Sequence, residues 1–293
     1  MLYLELATLV TLFSLQSLFT KMYSDAYDGK NRDAETGIFS VTYGLFIAAA
    51  TFLSAGLRFS PSPATLLYGA LNACVLLLYN ISIINSAKRG SYAFLMICSM
   101  FGGILVPLTG GWILFGETLT LLQLAGVALM LAAMLLMNSS DLSLKGSKKG
   151  YFLWCALLFL ANGLYSTVMN IQSTVMEGKE RSEMLIVLFG LSSVFAYGLE
   201  AFSGRGRDVV RGYKMSLKPA LFLVCACLSA FLGANLLLYL LTRMQSGILF
   251  TIDDGGVLLL SLVFSVVLFK EKLTWLQALG MALALGSIVL VNA

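Results

Sequence analysis

The chain has 293 residues, of which 59% are Ala, Val, Ile, Leu, Met, Phe, Trp, Tyr or Cys and only 12% are Asp, Glu, Lys or Arg. That is about half the charged share of an ordinary soluble domain. Nineteen basic and 15 acidic residues, gathered in short stretches, cannot form the charged shell a soluble enzyme of this length needs, so lipid is the expected solvent for most of the surface. Histidine is absent, which excludes His-based triads, His metal sites and imidazole proton relays. The net charge of +4 comes without basic runs interleaved with aromatics, so no nucleic-acid partner is expected. The five cysteines, Cys74, Cys98, Cys155, Cys225 and Cys227, lie in apolar stretches where thiols behave as small hydrophobes. Neither a disulfide framework nor a zinc site is expected, and no metal or other cofactor is implied.

A hydrocarbon core about 30 Å thick takes roughly 20 apolar residues of helix. Ten such segments follow along the chain: Leu2 to Met22, Gly37 to Leu57, Ala64 to Asn85, Ser91 to Phe115, Thr118 to Met137, Tyr151 to Met176, Met184 to Ser203, Lys218 to Leu241, Ser246 to Phe269 and Thr274 to Val291. The first lacks a basic leader and a small-residue cleavage site, so it reads as a retained span rather than a signal peptide. The uninterrupted apolar runs contradict the alternation of a membrane barrel, and unpaired backbone amides are too costly in lipid for anything but helices. The expected fold is therefore an all-α, polytopic membrane protein. Its longer connections are Lys21 to Thr36, Asn138 to Gly150 and Gly204 to Leu217.

The middle connection, 138–150, is polar and falls near the midpoint, dividing the spans into 1–137 and 151–293 with five helices each. An offset of 154 residues aligns Ile113 to Leu129 with Val267 to Leu283 at ten identities in 17. Leu matches carry little weight in such helices. The weight lies on Phe115 with Phe269, Glu117 with Glu271, Thr120 with Thr274, Gln123 with Gln277 and Gly126 with Gly280, and Arg89 falls on Arg243 in the same register. A repeat with an odd number of helices enters the membrane from opposite sides in its two copies. This predicts two inverted five-helix repeats around a central cavity, a geometry suited to alternating access.

The stretches Leu114-Phe115-Gly116-Glu117-Thr118-Leu119-Thr120 and Leu268-Phe269-Lys270-Glu271-Lys272-Leu273-Thr274, each followed by a Gln and a Gly in register, resemble those of the drug/metabolite transporter superfamily, and more narrowly its EamA-type ten-helix members. The resemblance covers the chain in helix count and duplication, and its specific motif covers the last two helices of each half. Pro107 precedes Glu117 by ten residues as in relatives, whereas the second half has Ser261 there, a departure that removes a kink. The resemblance implies two five-helix repeats around a central cavity and transport of small metabolites, amino acids, drugs or organic cations, usually outward. Glu117 and Glu271 each precede the start of a span, where a carboxylate can accept from free helix N-terminal amides. Both are read as structural.

A charge in the middle of a span costs at least about 2.5 kcal/mol, so an ionisable residue there is a functional candidate. Asp253 and Asp254 lie about two turns into the ninth span, followed by Gly255 and Gly256, which permit close backbone approach or local unwinding. Two carboxylates this close in a low dielectric do not readily ionise together, which suits a proton carrier, a cation ligand, or both in competition. Polar residues also share helix faces: Glu5, Thr8, Gln16 and Thr20; Tyr79, Ser82 and Ser86; Asn162, Ser166 and Asn170; Ser193, Tyr197 and Glu200; Asn235, Tyr239 and Thr242. Singly, such residues are expected to form interhelical hydrogen bonds. Together they require a polar interior, with Glu5 and Glu200 near enough to span ends to reach water. The candidate proton- and substrate-binding set is Asp253, Asp254, Tyr239, Asn235, Tyr79, Asn162, Tyr165, Gln16 and Tyr197, whose tyrosines could cage an organic cation. Gly102, Gly103, Gly110 and Gly111 in the fourth span suit close helix crossings.

Of the 19 Lys and Arg residues, all but Arg58, Lys179, Arg181 and Arg243 fall in loops after odd-numbered spans. The positive-inside rule makes that side cytoplasmic and puts both termini outside, whereas ten-helix relatives keep both termini in the cytoplasm. The expected function is a secondary transporter in the cell membrane, moving a small organic solute by alternating access with H+ as the coupling ion, as a monomer or homodimer. A lipid-linked sugar flippase is the alternative reading. An intramembrane enzyme is disfavoured, because two acids on one helix cannot readily flank a substrate as a catalytic dyad does.

Overall fold

The connections between spans are set by local chemistry at each helix end. The computed structural model describes residues 2–29, 35–87, 89, 92–137, 149–269 and 274–291, all helix or connection and with no strand among them. The helices are α1 (Leu2–Ala26), α2 (Glu35–Ser54), α3 (Pro63–Ala87), α4 (Tyr92–Phe115), α5 (Leu121–Met137), α6 (Tyr151–Val175), α7 (Arg181–Phe202), α8 (Gly206–Gly212), α9 (Leu217–Leu240), α10 (Ser246–Phe269) and α11 (Trp275–Val291). Eight are long and apolar enough to cross a membrane, and α5 and α11 are apolar helices of 17 residues. The protein is thus an all-helical, multi-pass membrane protein. Most of the linker (138–148) and residues 270–273, Glu271 among them, lie outside the described residues.

Two expectations are corrected. The segment Gly204 to Leu217, expected as loop, contains the seven-residue α8, which raises the helix count among the described residues to eleven. It forms because Gly206, Val209 and Gly212 make a buried face, with Asp208 in its first turn and Arg211 in its last, matching the helix dipole. The fifth and tenth spans begin at Leu121 and Trp275 rather than Thr118 and Thr274. Thr120 accepts from the Gln123 amide (3.2 Å) while the Gln123 side chain accepts from the Thr120 amide (3.0 Å), and Thr274 and Gln277 repeat this at 3.3 and 2.9 Å. These are capping boxes, and they occupy equivalent positions in the two sequence halves.

The chain divides into two compact units, each drawing on both sequence halves. The first comprises residues 1–10, 78–171 and 240–293, and the second 11–77 and 172–239. In the first, α5 packs antiparallel to α11, and the contacts are reciprocal. A Cβ on Gly126 would lie 2.6 Å from Val291, and one on Gly280 would lie 2.7 Å from Met137. Each of these glycines and its partner recur 154 positions apart. Ser287 Oγ donates to the Gly126 carbonyl (2.7 Å) across the same crossing. α4 and α10 also pack antiparallel, with Gly111 beside Ser246 and Gly103 beside Asp254.

In the second unit α2 packs against α7. Gly44 lies against the Phe189 carbonyl, and Ser193 Oγ donates to the carbonyl of Val41 (2.9 Å), an interhelical bond of the kind its polar stripe predicts. Glu200 pairs with Arg205 (2.7 Å). An aromatic-rich core of Tyr23, Tyr27, Ile38, Val209, Leu223 and Cys227 seats α8. Pro63 opens α3 with Ser62 as its cap, whose Oγ accepts from the Thr65 amide (3.2 Å) while its own amide donates to Glu180 Oε2 (2.9 Å). At another connection Asp28 accepts from the Ser216 amide (3.0 Å) just before α9. These amide donors hold the Glu180 and Asp28 carboxyls below their usual range.

Because the Glu180 carboxyl is lowered in the folded state, its contribution is present above the unfolded value of about 4.3 and is lost as pH falls through the folded value. Thermal unfolding followed between about pH 7 and about pH 3 should show a smaller acid-dependent loss in Glu180→Gln than in wild type. Equal slopes would mean that this cap does not couple to stability. Gly126→Val and Gly280→Val should each destabilise the folded chain by about 1–3 kcal/mol through overpacking of the α5–α11 crossing, read as a fall in Tm. An unchanged Tm in either variant would contradict the reciprocal contact.

Candidate functional site

α10 runs unbroken from Ser246 to Phe269, so Asp253 lies about 10 Å along the helix axis from its first residue. Gly255 and Gly256 do not unwind it. They serve close approach instead: Gly255 packs on Met130, and a Cβ on Gly256 would lie 2.7 Å from Val10. Asp253 is 7% exposed and its Oδ1 is buried without a hydrogen-bond partner among the described residues. Asp254, about 100° further round the helix, is half-buried and faces α4.

On α4, Gly103 forms the floor of a small polar site. A Cβ there would sit 2.5 Å from Asp254 Oδ2 and 2.8 Å from Asn162 Nδ2, so the missing side chain is what lets the carboxylate and the amide reach the same stretch of backbone. The Asn162 amide is oriented by donating to the Ser99 carbonyl (2.8 Å). Pro107 lies inside α4 and lacks the N–H that would bond residue 103, leaving the Gly103 carbonyl without its helical donor. Asp254, Asn162 and the Gly103 carbonyl thus offer an anionic acceptor, an amide and a carbonyl that lacks its usual helical donor within one crossing of α4, α6 and α10. Such a set can hold a proton or the donor head of a small solute.

The other predicted residues are placed as follows. Tyr165 is half-buried on α6, about one turn beyond Asn162. Tyr79 of α3 packs against the buried cluster of Leu95, Tyr151, Cys155 and Leu158. Gln16, Asn235, Tyr239 and Tyr197 belong to the other compact unit. There the Gln16 carbonyl accepts from Thr20 Oγ1 (2.7 Å), and Asn235 Nδ2 donates to the Phe231 carbonyl (2.8 Å) within its own helix. The Arg181 guanidinium lies 5.4 Å from the Tyr239 ring centroid, a cation–π contact. Tyr197 is 43% exposed on α7 rather than turned inward. Glu5 likewise departs from expectation, since one carboxylate oxygen is buried without a partner among the described residues instead of reaching water.

Sequence reasoning passed over Ser99 and read Gly103 only as packing. The signal that could have found the latter is Pro107, because a proline four residues on strips the helical donor from carbonyl 103. The expected role of Glu117 also changes. Thr120 caps α5 in its place, and Glu117 Oε2 accepts from Ser246 Oγ (2.9 Å) at the start of α10. It borders a cavity of about 270 Å³ with Leu108, Trp112, Thr118, Leu119, Leu124 and Gly247.

The fold and site are those of a multi-pass membrane protein with acidic groups buried inside a span, and comparison with known proteins places it more closely. The EamA-like transporter family matches residues 152–293, nearly all of the second sequence half, which supports membership of the drug/metabolite transporter superfamily. A solved structure described only as "Crystal structure of protein" has the same fold, with a TM-score of 0.72 at 16% identity over 99% of this chain and 97% of that one. No curated protein matches the sequence.

The Gly103 slot can be tested by a double-mutant cycle. Gly103→Ala should destabilise by about 1–3 kcal/mol through overpacking, and Asn162→Ala in the same chain should recover part of that loss. The expected coupling is about 0.5–3 kcal/mol from thermal or denaturant unfolding. Strict additivity would show that the amide does not occupy the slot.

Proposed function

We propose that the protein is a secondary active transporter of a small organic solute, a metabolite, amino acid, drug or organic cation, that works by alternating access in the cell membrane with H+ as coupling ion. The observation that carries this reading is the placement of Asp253 and Asp254 two turns inside an apolar helix, one with a buried oxygen that has no partner among the described residues and the other against Gly103, at the position that Asn162 also approaches. A carboxylate charge desolvated in this way is costly without a partner. A proton or a cationic head relieves that cost, so the site exchanges one for the other.

Support for alternating access comes from the repeat. Helices α5 and α11, which hold equivalent positions in the two sequence halves, meet through reciprocal glycine contacts, and both begin with the same Thr–Gln box. Eight long apolar helices with two of 17 residues are consistent with ten spans, since 17 residues lie at the lower limit for crossing. Five helices per half make the halves inverted, and inverted halves can exchange conformations to expose a site to either side. Members of the EamA-type family are transporters, not enzymes, which supports transport over an intramembrane enzyme.

Purified protein in proteoliposomes, assayed with amines, amino acids and nucleosides with and without a pH gradient, tests this directly. At least one solute should move faster with the gradient than without it. Asp254→Asn should abolish that acceleration and Asp253→Asn should weaken or abolish it. Gradient dependence that persists in both variants would remove the coupling role of the pair.

A further inference from the structure

Two thiols, Cys155 buried and Cys98 half-buried, play no part in the proposed transport chemistry, and they meet where α4 crosses α6. The crossing is a regular seam. Cys98, Gly102, Val106 and Gly110 recur every fourth residue on α4, and Cys155, Phe159, Gly163 and Thr167 do so on α6. Gly102 lies against the Phe159 carbonyl, Gly163 against Val106, and a Cβ on Gly110 would meet Thr167 at 3.0 Å. The paired positions rise together, so the helices run parallel, and absent side chains let the backbones approach closely. One turn before the Gly102–Phe159 contact, the same register sets Cys98 opposite Cys155.

In the structure Cys98 packs against the buried cluster that Cys155 forms with Tyr151, Leu95 and Leu158. Cys155 is 2% exposed and Cys98 packs half-buried against its cluster. Cys225 and Cys227, by contrast, are two residues apart on one helix and project to different faces. We propose that Cys98 and Cys155 form a dithiol site for a soft, thiophilic centre that takes two sulfur ligands, and that filling it pins α4 to α6. Soft cations prefer thiolate sulfur to the oxygen and amide groups nearby. Both cysteines sit within long apolar helices, which favours apolar, uncharged thiophiles over hydrated ions. Ser99, whose carbonyl orients Asn162, directly follows Cys98, so the pinned segment is the one that bears the polar site. The proposal rests on the helix seam alone and stands or falls independently of proton coupling.

Phenylarsine oxide is the probe. Its arsenic–oxygen bond is replaced by two arsenic–sulfur bonds, the two thiol protons leave with the oxide as water, and no electron changes hands. The full-length protein in nanodiscs should lose two of its five thiols to one phenylarsenic adduct, counted by maleimide labelling after denaturation. A monothiol should not remove the adduct, a dithiol such as 2,3-dimercaptopropanol should, and the adduct should raise Tm. Cys98→Ala, Cys98→Ser and Cys155→Ser should each lose the monothiol-resistant adduct, while the Cys225→Ala/Cys227→Ala double variant should keep it. Peptide mapping of the wild-type adduct, which needs no variant to fold, should find the arsenic joining the peptides that contain Cys98 and Cys155. Five labelled thiols in treated wild type, or arsenic mapped to another pair, would overturn the assignment.

Discussion

Asp254 can lie against the backbone of α4 only because position 103 has no side chain, and that approach governs the chemistry of the site. A carboxylate surrounded by hydrocarbon must find a donor, a cation or a proton. Here it finds Asn162 at the same backbone position, held in place by the Ser99 carbonyl, and a neighbouring carbonyl released by Pro107. On the next residue, Asp253 keeps one buried carboxylate oxygen without a hydrogen-bond partner among the described residues. A structural polar cluster in lipid would instead be expected to satisfy its own hydrogen bonds fully.

Small residues have different tasks along the same helices. Gly102, Gly163, Gly126 and Gly280 bring backbones together at crossings, where lipid offers no hydrophobic drive and close packing must hold helices in contact. Gly103 makes room for side-chain chemistry. The neighbours Gly102 and Gly103 therefore face opposite demands, one filled by the Phe159 carbonyl and the other by Asp254 and Asn162. A helix that turns 100° per residue lets adjacent glycines serve a packing seam and a site at once.

Much of the architecture was legible before any coordinates. Span limits read from apolar runs match the helices to within a few residues, because in a bilayer every backbone amide must be satisfied within its own segment and the apolar run itself therefore marks the helix. The differences occur at water-exposed ends, where capping chemistry takes over: Thr120 and Thr274 set the starts of α5 and α11. The short helix α8 was missed because seven residues of mixed character carry no periodicity of their own. Only the buried face it makes against Ile38 and Tyr27 explains it.

The candidate site divides along the same line. The sequence by itself placed Asp253 and Asp254 inside an apolar run long enough to be a span, and it carried the internal similarity that relates Gly126 to Gly280. Tertiary structure decided which neighbours those acids have. It set Asn162 and Gly103 beside Asp254, gave the Tyr239 ring to Arg181 and left Tyr197 exposed. Helical periodicity states which residues share a face, but the rotation and crossing point of each helix, which arise from packing between segments far apart in the chain, decide what that face meets.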